Sequence, residues 1–447
     1  MAKNRSVNII SLGCPRNLVD SEVMLGLLKK ARFHITDDIE GTDTVIVNTC
    51  SFINDAKKES IDVILGLIDL KKKGSISHIV VSGCLTQRYK DVLKGELAEV
   101  DAFIGVGDIA DIVKVAKSVS NGKRIVKIRE KPEFLYSHKN PRLFITPLYY
   151  AYIKIQEGCV NKCSYCVIPE LRGDYRSRAV RSIIKEADML LNKNRVSEIN
   201  LIGQDTTLYG MDLYKKMMLP KVLKQISKLL KREAWIRLLY THPAHFTDEL
   251  VDVIKDYPIC KYVDLPVQHI NDKILKAMNR KVVKKEILSL IEKLRNDIPN
   301  VVIRTSIIVG FPGEGEDEFK ELLDFIEKTR FDRLGAFIYS REEGTDAYNF
   351  KDHLPEKVKN ERFDQVMKIQ QAISEENNKK LLKKIVRVLV DKKVEKEDNL
   401  FLGRTQGDAP EVDGGVYLKT KNAKAGDFVD ARIIDALEYD LVGEEVL

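Results

Sequence analysis

The chain has 447 residues, 44% of them hydrophobic and 32% charged, and a formal net charge of +7. That length suits two or three domains with ordinary cores, and no run of eighteen apolar residues offers a membrane-spanning helix. The stretch Met1–Ile10 lacks the apolar core of a secretory signal, and seven cysteines, an odd number, argue against a disulfide framework. A cytoplasmic chain that uses thiols for metal or redox chemistry is expected.

Residues 1–125 alternate short apolar runs with helical stretches. Strands are predicted at Val7–Leu12, Thr44–Val47, His78–Val81 and Asp101–Ile104, followed in turn by helices at Asn17–Ala31, Asp55–Lys72, Leu85–Leu93 and Ile109–Val119. Repeated βα units predict a parallel sheet covered by helices. Cys14, Cys50 and Cys84 follow the first three strands, 36 and 34 residues apart. Loops after the strands of such a sheet share one edge, where ligands bind. The three thiols are therefore expected to converge as one ligand set. The alternative is that each packs as a small buried hydrophobe, but three at equivalent strand ends favour a cluster. Gly13 and Gly83, each just before a cysteine, allow tight turns. Residues 126–147 read as a solvated linker: Lys127–Pro147 is basic, holds three prolines and shows no periodicity.

Residues 148–380 form the predicted central domain. The strand Ala151–Ile155 runs into Cys159-x3-Cys163-x2-Cys166. Three thiolates on a short loop can hold three irons of a cubane cluster and leave the fourth open to a small molecule. Zinc would need a fourth ligand nearby, yet His138 lies 21 residues upstream of Cys159 and no cysteine follows before Cys260. Five helix–strand repeats come next. Strands are predicted at Ser197–Ile202, Trp235–Leu239, Tyr262–Leu265, Val302–Val309 and Arg333–Tyr339. The helices between them fall at Val180–Asn194, Lys221–Lys231, Asp248–Lys255, Asp272–Met278, Lys284–Arg295 and Glu316–Thr329. The six strands suit an open, partial (β/α) barrel whose chemistry sits at the strands' carboxyl ends. Four of those ends, Gly203–Asp205, Tyr240–Pro243, Pro266–His269 and Gly310–Glu314, are rich in small and polar residues. Turn chemistry explains each one singly; together they favour a small-molecule pocket. A charged helix, Glu356–Lys380, closes the domain with its charges read as a solvated face.

Residues 381–447 hold strand-like runs at Ile385–Val390, Leu400–Gly403, Val416–Lys419, Phe428–Leu437 and Asp440–Val442, punctuated by Gly407, Gly414, Gly415 and Gly426. They predict a small antiparallel β-barrel.

The Cys159/Cys163/Cys166 loop, with Tyr165 before its last cysteine, resembles the signature of radical S-adenosylmethionine (SAM) enzymes. The Cys14/Cys50/Cys84 trio and the terminal barrel, which is similar to a TRAM domain, extend the resemblance to the methylthiotransferase family over almost the whole chain. Ser11-Leu-Gly-Cys-Pro-Arg-Asn-Leu-Val-Asp-Ser-Glu22, Pro266-Val-Gln-His-Ile270 and Asp408-Ala-Pro-Glu-Val-Asp-Gly414 resemble its ribosomal-protein branch. The resemblance implies a SAM-binding 4Fe-4S cluster on Cys159, Cys163 and Cys166, and an auxiliary 4Fe-4S cluster on Cys14, Cys50 and Cys84. It implies that Tyr165 flanks the adenine and that Gly203 and Gln204 contact the methionine part of SAM. Ile308 and Gly310 match the adenine-contacting G-x-I-x-G-x-x-E pattern, although Ser306 stands for its first glycine and Glu314 falls one place late. The implied reaction uses a 5′-deoxyadenosyl radical to install a methylthio group on the β-carbon of an aspartate in the small-subunit ribosomal protein S-twelve. It draws on a one-electron donor such as flavodoxin or ferredoxin.

Residues 385–447 carry nine basic and fourteen acidic side chains. An RNA-binding barrel should be basic. The excess acid, with Asp408, Glu411 and Asp413 on one loop, instead favours a basic ribosomal protein over tRNA. Two rivals follow: the same chemistry on a tRNA adenosine, and a non-enzymatic iron–sulfur sensor that binds RNA or ribosomes.

Overall fold

The computed structural model describes residues 5–446; residues 1–4 and 447, at the outer ends of the predicted first and last domains, lie outside the described residues. The chain gathers into two compact units. One comprises residues up to Ile145 with Lys154–Ile183 and Glu342–Thr345; the other comprises Thr146–Ile153, Ile184–Arg341 and Asp346 onward.

In the first unit, β1 (Ser6–Ser11), β2 (His34–Ile35), β3 (Thr44–Thr49), β4 (His78–Gly83), β5 (Ala102–Ile104) and β6 (Ile125–Lys127) form a parallel sheet in the order β2-β1-β3-β4-β5-β6. Strand β3 is buried along its whole length, as a parallel strand covered on both faces should be. Ile46 packs with Met24, Leu28 and Ile112 on one face; Val45 and Val47 pack with Ile64, Leu67 and Phe103 on the other. The two edge strands β2 and β6 are too short to leave a sequence pattern. The helix predicted at Leu85–Leu93 is two, Cys84–Arg88 and Lys90–Glu96, which meet at Tyr89.

The linker is not a solvated connector. Arg142 and Glu22, both buried, form an ion pair at 2.5 Å. Pro141 lies over Gly26, where a Cβ would stand 2.3 Å from the proline carbonyl oxygen. Tyr136 is buried and stacks under the Arg178 guanidinium at 4.1 Å. Local composition conveys the absence of regular structure, but it does not reveal that a helix face is waiting to be covered.

Strand β7 (Tyr150–Lys154) leads through the short strand β8 (Gln156–Glu157) into the cysteine loop, and β9 (Arg176–Ser177) pairs antiparallel with β8. In the second unit, β10 (Glu198–Ile202) and β11 (Trp235–Leu238) continue the sheet of β7. A further parallel sheet holds β12 (Tyr262–Asp264), β13 (Val302–Val309) and β14 (Arg333–Ile338). The six expected barrel strands are thus present, with the ladder interrupted between β11 and β12. There Tyr240 adopts a φ of 59° and gives its N–H to the Asp264 carboxylate at 2.8 Å, so a side chain replaces a ladder bond.

The last five strands, β15 (Ile385–Lys393), β16 (Leu400–Arg404), β17 (Val416–Lys419), β18 (Phe428–Ala436) and β19 (Leu441–Glu445), close into a barrel. Four of its pairings are antiparallel; β17 and β19 run parallel. Closure leaves no unpaired edge. Among the described residues, no helix is long and apolar enough to cross a membrane.

Two charge expectations are corrected. The helix Glu356–Lys379 is not uniformly solvated: Lys359 and Arg362 are buried, and Arg362 pairs with Glu314 at 2.7 Å and Glu316 at 2.6 Å. Two of the three carboxylates on the acidic loop of the terminal barrel, Asp408 and Asp413, are turned inward, while Glu411 stays exposed. Asp408 pairs with Arg333 at 2.7 Å, Asp413 with Arg304 at 3.3 Å, and both Glu411 and Asp413 accept from tyrosines, Tyr150 and Tyr262. Arg404 is buried between Glu198 and Asp391. Setting aside the buried Asp391, Asp408, Asp413 and Arg404 reduces nine basic against fourteen acidic to eight against eleven. Part of the acidic excess is therefore neutralised, Asp408 and Asp413 by arginines of the parallel barrel and Asp391 by Arg404.

Candidate active site

The sheet order explains how three distant cysteines come together. β1, β3 and β4 are neighbours, and Cys14, Cys50 and Cys84 stand at their carboxyl ends. Cys14 caps the helix Pro15–Lys30; Cys84 opens the helix Cys84–Arg88 behind Gly83, whose φ is 99°. Gly13 has a φ of 84°, and a Cβ on it would stand 2.6 Å from Cys50 Cβ and 2.9 Å from Cys50 Sγ. Only glycine lets the first loop approach the second so closely.

Polar side chains fix the three loops. Asn17, fully buried, donates to the carbonyls of Leu12 at 3.0 Å and Thr49 at 2.8 Å, and its amide oxygen lies 3.9 Å from Cys84 Sγ. The Ser60 hydroxyl accepts from the Cys50 N–H and donates to its carbonyl. The Thr49 hydroxyl reaches the Ser82 carbonyl at 2.6 Å. Asn17 and Ser60 were not singled out from the sequence. An Asn three residues after Cys14 was the available signal for the first, and nothing local marked the second.

Cys159, Cys163 and Cys166 lie in the irregular loop after β8. The loop opens on Gly158, whose φ is 73° and whose added Cβ would strike the Asp174 carbonyl oxygen at 2.1 Å. The Cys166 N–H donates to the Cys163 carbonyl at 3.0 Å, which curls the loop back. The helix Ile168–Arg172 follows at once, and its Val167 and Leu171 flanks pack with Cys84 and Val106. The two trios therefore belong to one compact unit, with Cys84 against the helix that follows Cys166.

Charge around the thiols is arranged accordingly. Burial raises the Cys14 thiol, but Arg16 and Arg172 outweigh it and bring it down to about 7. Burial and the neighbouring Cys84 push Cys50 up to about 12. Burial also raises Cys84, against the pull of Arg172. Cys166 is pushed to about 12 by burial and by Cys163. The charge of Arg16 is felt by Cys14, Cys50 and Cys166 alike. A coordinated thiol loses its proton outright, so these cations offset charge that iron binding would leave on sulfur. Ser51 Oγ, Ser82 Oγ and Thr86 Oγ1, beside Cys50 and Cys84, are buried without a protein partner among the described residues. This donor set and its polar lining fit two iron–sulfur clusters.

Tyr165 is half-buried on the cysteine loop. The other expected SAM contacts belong to the second unit. Gly203 and Gln204 follow β10, and Ile308 lies on the face of β13 that also carries Arg304 and Ser306. Gly310 has a φ of 73° and packs under Lys359. Its N–H is held by both oxygens of Glu314, at 3.0 and 3.1 Å. Glu314, though one place late in the pattern, supports the Gly310 turn. Beyond β10 and β11, Asp205, His242 and His245 approach within 4.8 Å. Asp205 already accepts from Thr207 and pairs with His245 at 2.8 Å, and His242 accepts from the Ala244 N–H. Cys260, the seventh cysteine, is buried in this second unit.

A parallel half-barrel, a three-thiol loop and a second trio on an α/β sheet, followed by a closed β-barrel, define a radical SAM enzyme of the methylthiotransferase kind. The sequence matches the models of the radical SAM superfamily over residues 153–326, the uncharacterized protein family UPF0004 over residues 6–105 and the TRAM domain over residues 384–446. It is 49% identical to the ribosomal protein uS12 methylthiotransferase RimO of Clostridioides difficile over 97% of each chain. It is 47% identical to that of Geotalea uraniireducens over 98% of each. The chain belongs to this uS12 methylthiotransferase family. Among solved structures, the radical SAM methyltransferase TsrM of Kitasatospora setae shares the fold, with a TM-score of 0.55 at 13% identity over 75% of each chain.

Proposed function

We propose that this protein methylthiolates the β-carbon of an aspartate in ribosomal protein uS12. The observation that carries the reading is the gathering of six cysteines, as two trios, within one compact unit. In this reading Cys159, Cys163 and Cys166 hold the SAM-binding cluster and Cys14, Cys50 and Cys84 hold the auxiliary one. When bound, the clusters and SAM supply one-electron chemistry that can take a hydrogen atom from an unactivated carbon, together with the methyl group for transfer.

The protein's own part is placement. Gly13 and Gly83 let the auxiliary loops close. Asn17 and Ser60 hold the Leu12, Thr49 and Cys50 backbones still. Arg16 and Arg172 offset thiolate charge. Tyr165 flanks the adenine, Gly203 and Gln204 contact the methionine part of SAM, and Ile308 and Gly310 line the adenine. The functional division follows sequence order: residues 1–125 carry the auxiliary cluster, 126–147 the linker, 148–380 the SAM chemistry and 381–447 the TRAM-like barrel. A one-electron donor of the flavodoxin or ferredoxin kind serves the enzyme in the cytoplasm.

The test is anaerobic incubation of the reconstituted protein with SAM, dithionite and either uS12 or tRNA, followed by mass analysis of both. A methylthio adduct on uS12 alone is expected; an adduct on tRNA alone refutes the substrate. The tRNA reading gains from one observation, because Asp408 and Asp413, paired with Arg333 and Arg304, remove part of the charge that would repel RNA. Absence of 5′-deoxyadenosine from the fully loaded protein would favour a sensor over an enzyme.

A further inference from the structure

Arg172 is buried, yet its guanidinium does not close a bidentate fork on one carboxylate. One nitrogen, Nη1, reaches Asp20 at 2.7 Å and Glu157 at 3.2 Å. The other, Nη2, turns away from both carboxylates to the amide oxygen of Asn17 and to Cys84 Sγ at 3.7 Å. Lys154 completes the group, pairing with Asp20 at 2.5 Å and Glu157 at 2.6 Å. Two cations and two carboxylates thus balance inside the unit, all of them buried. A purely structural arginine would gain most from a parallel fork on one carboxylate. This one turns one of its two terminal nitrogens to a cysteine and to the asparagine that holds the cysteine loops. Its own position is set from the other trio, since it ends the helix that follows Cys166.

We propose that Arg172 is the positioning residue that sets the reduction potential of the cluster held by Cys14, Cys50 and Cys84. This rests on the reading that those three cysteines hold a cluster. A cluster gains one negative charge on reduction, and hydrogen bonds and cations at its ligand sulfurs stabilise the reduced form. Where water is excluded, one guanidinium bonded to a ligand sulfur weighs far more than a surface charge. Asp20 and Glu157 work against it by neutralising part of its charge, so potential and ion-pair network are linked. Lysine would keep the charge but could not span carboxylate, amide and sulfur at once.

The test is an EPR-monitored redox titration of the full-length chain, with Cys159, Cys163 and Cys166 replaced by alanine so that only the second cluster is seen. In that background, Arg172→Met should shift the midpoint to more negative values. Arg172→Lys should shift it the same way by less, and Asp20→Asn should shift it to more positive values. Opposite signs from two partners of one ion pair are not expected of general loosening. Iron and sulfide content accompany each measurement. If the parent background binds no iron, the cluster reading itself fails. If it binds iron and the three midpoints coincide with the parent, or fall in another order, the role of Arg172 is refuted. Should Arg172→Met not load, the Lys and Asn variants carry the same opposed signs.

Discussion

Replacing Gly13 by alanine should cost the protein its second cluster while leaving the first. At φ 84° the added Cβ would sit 2.6 Å from Cys50 Cβ, whereas ordinary carbon contacts are about 3.5–4.0 Å. Cys50 must therefore retreat by about 1 Å, or the Gly13 turn must open by as much. The left-handed backbone adds roughly 1–2 kcal/mol for a residue with a Cβ, and overpacking adds about 1–3 kcal/mol. Ser60 clamps the Cys50 backbone on both its N–H and its carbonyl, so little room remains to yield. Iron and sulfide per chain after anaerobic reconstitution are expected to fall toward those of a one-cluster protein, with a lowered thermal midpoint. Combining Gly13→Ala with Cys50→Ala should lose no more iron than Cys50→Ala alone, because both act on one ligand. Full iron content together with an unchanged midpoint would refute the steric argument.

Arg404→Met would leave Glu198 and Asp391 buried without their shared cation; a loss of about 3–5 kcal/mol is expected in chemical denaturation. Glu198 supplies a pH dependence. Burial works to raise its pKa, but Arg404 and Arg237 hold it below the usual range. A depressed folded pKa stabilises fully above the unfolded value of about 4.3 and is lost as pH falls through the folded one. Glu198→Gln should therefore be less stable than the parent at pH 7, with the gap narrowing in acid below about pH 4, as read by urea midpoints across pH. Asp413→Asn removes the charge facing Arg304 but leaves an acceptor for Tyr262. It should lower stability by about 1–3 kcal/mol without altering the salt dependence of uS12 binding; a changed salt slope would return the loop to the partner's side.

The sequence carried the six cysteines plainly because their placement follows local rules. A strand, a turn and a cysteine, three times over, put Cys14, Cys50 and Cys84 on one sheet edge. The spacing of Cys159, Cys163 and Cys166 is itself a local motif. What local pattern could not convey was how side chains pair over long separations. Arg172 lies 152 residues from Asp20 and 88 from Cys84, and no periodicity links them. Lys359 and Arg362 looked solvated, and Asp408 and Asp413 looked free to meet a basic partner, because the groups that hold them sit on other elements. The strands β2 and β6, of two and three residues, are recruited by a sheet edge rather than encoded by their own residues. The interruption between β11 and β12 depends on one tyrosine in a left-handed conformation.

The first compact unit draws on three separate stretches of chain, the last of them Glu342–Thr345. That short stretch is not decorative: buried Glu342 receives Arg88 at 2.7 Å and Lys57 at 2.8 Å. During synthesis, the amino-terminal sheet therefore emerges before Lys154 and Arg172 can pair with Asp20 and before Glu342 can pair with Arg88 and Lys57. Lys154–Ile183 arrives later and Glu342 later still. The unit becomes complete only when about three-quarters of the polypeptide has left the ribosome. Iron delivered before then would meet the early thiols in a half-built cradle, so the order of translation itself favours metal loading after Glu342–Thr345 has emerged.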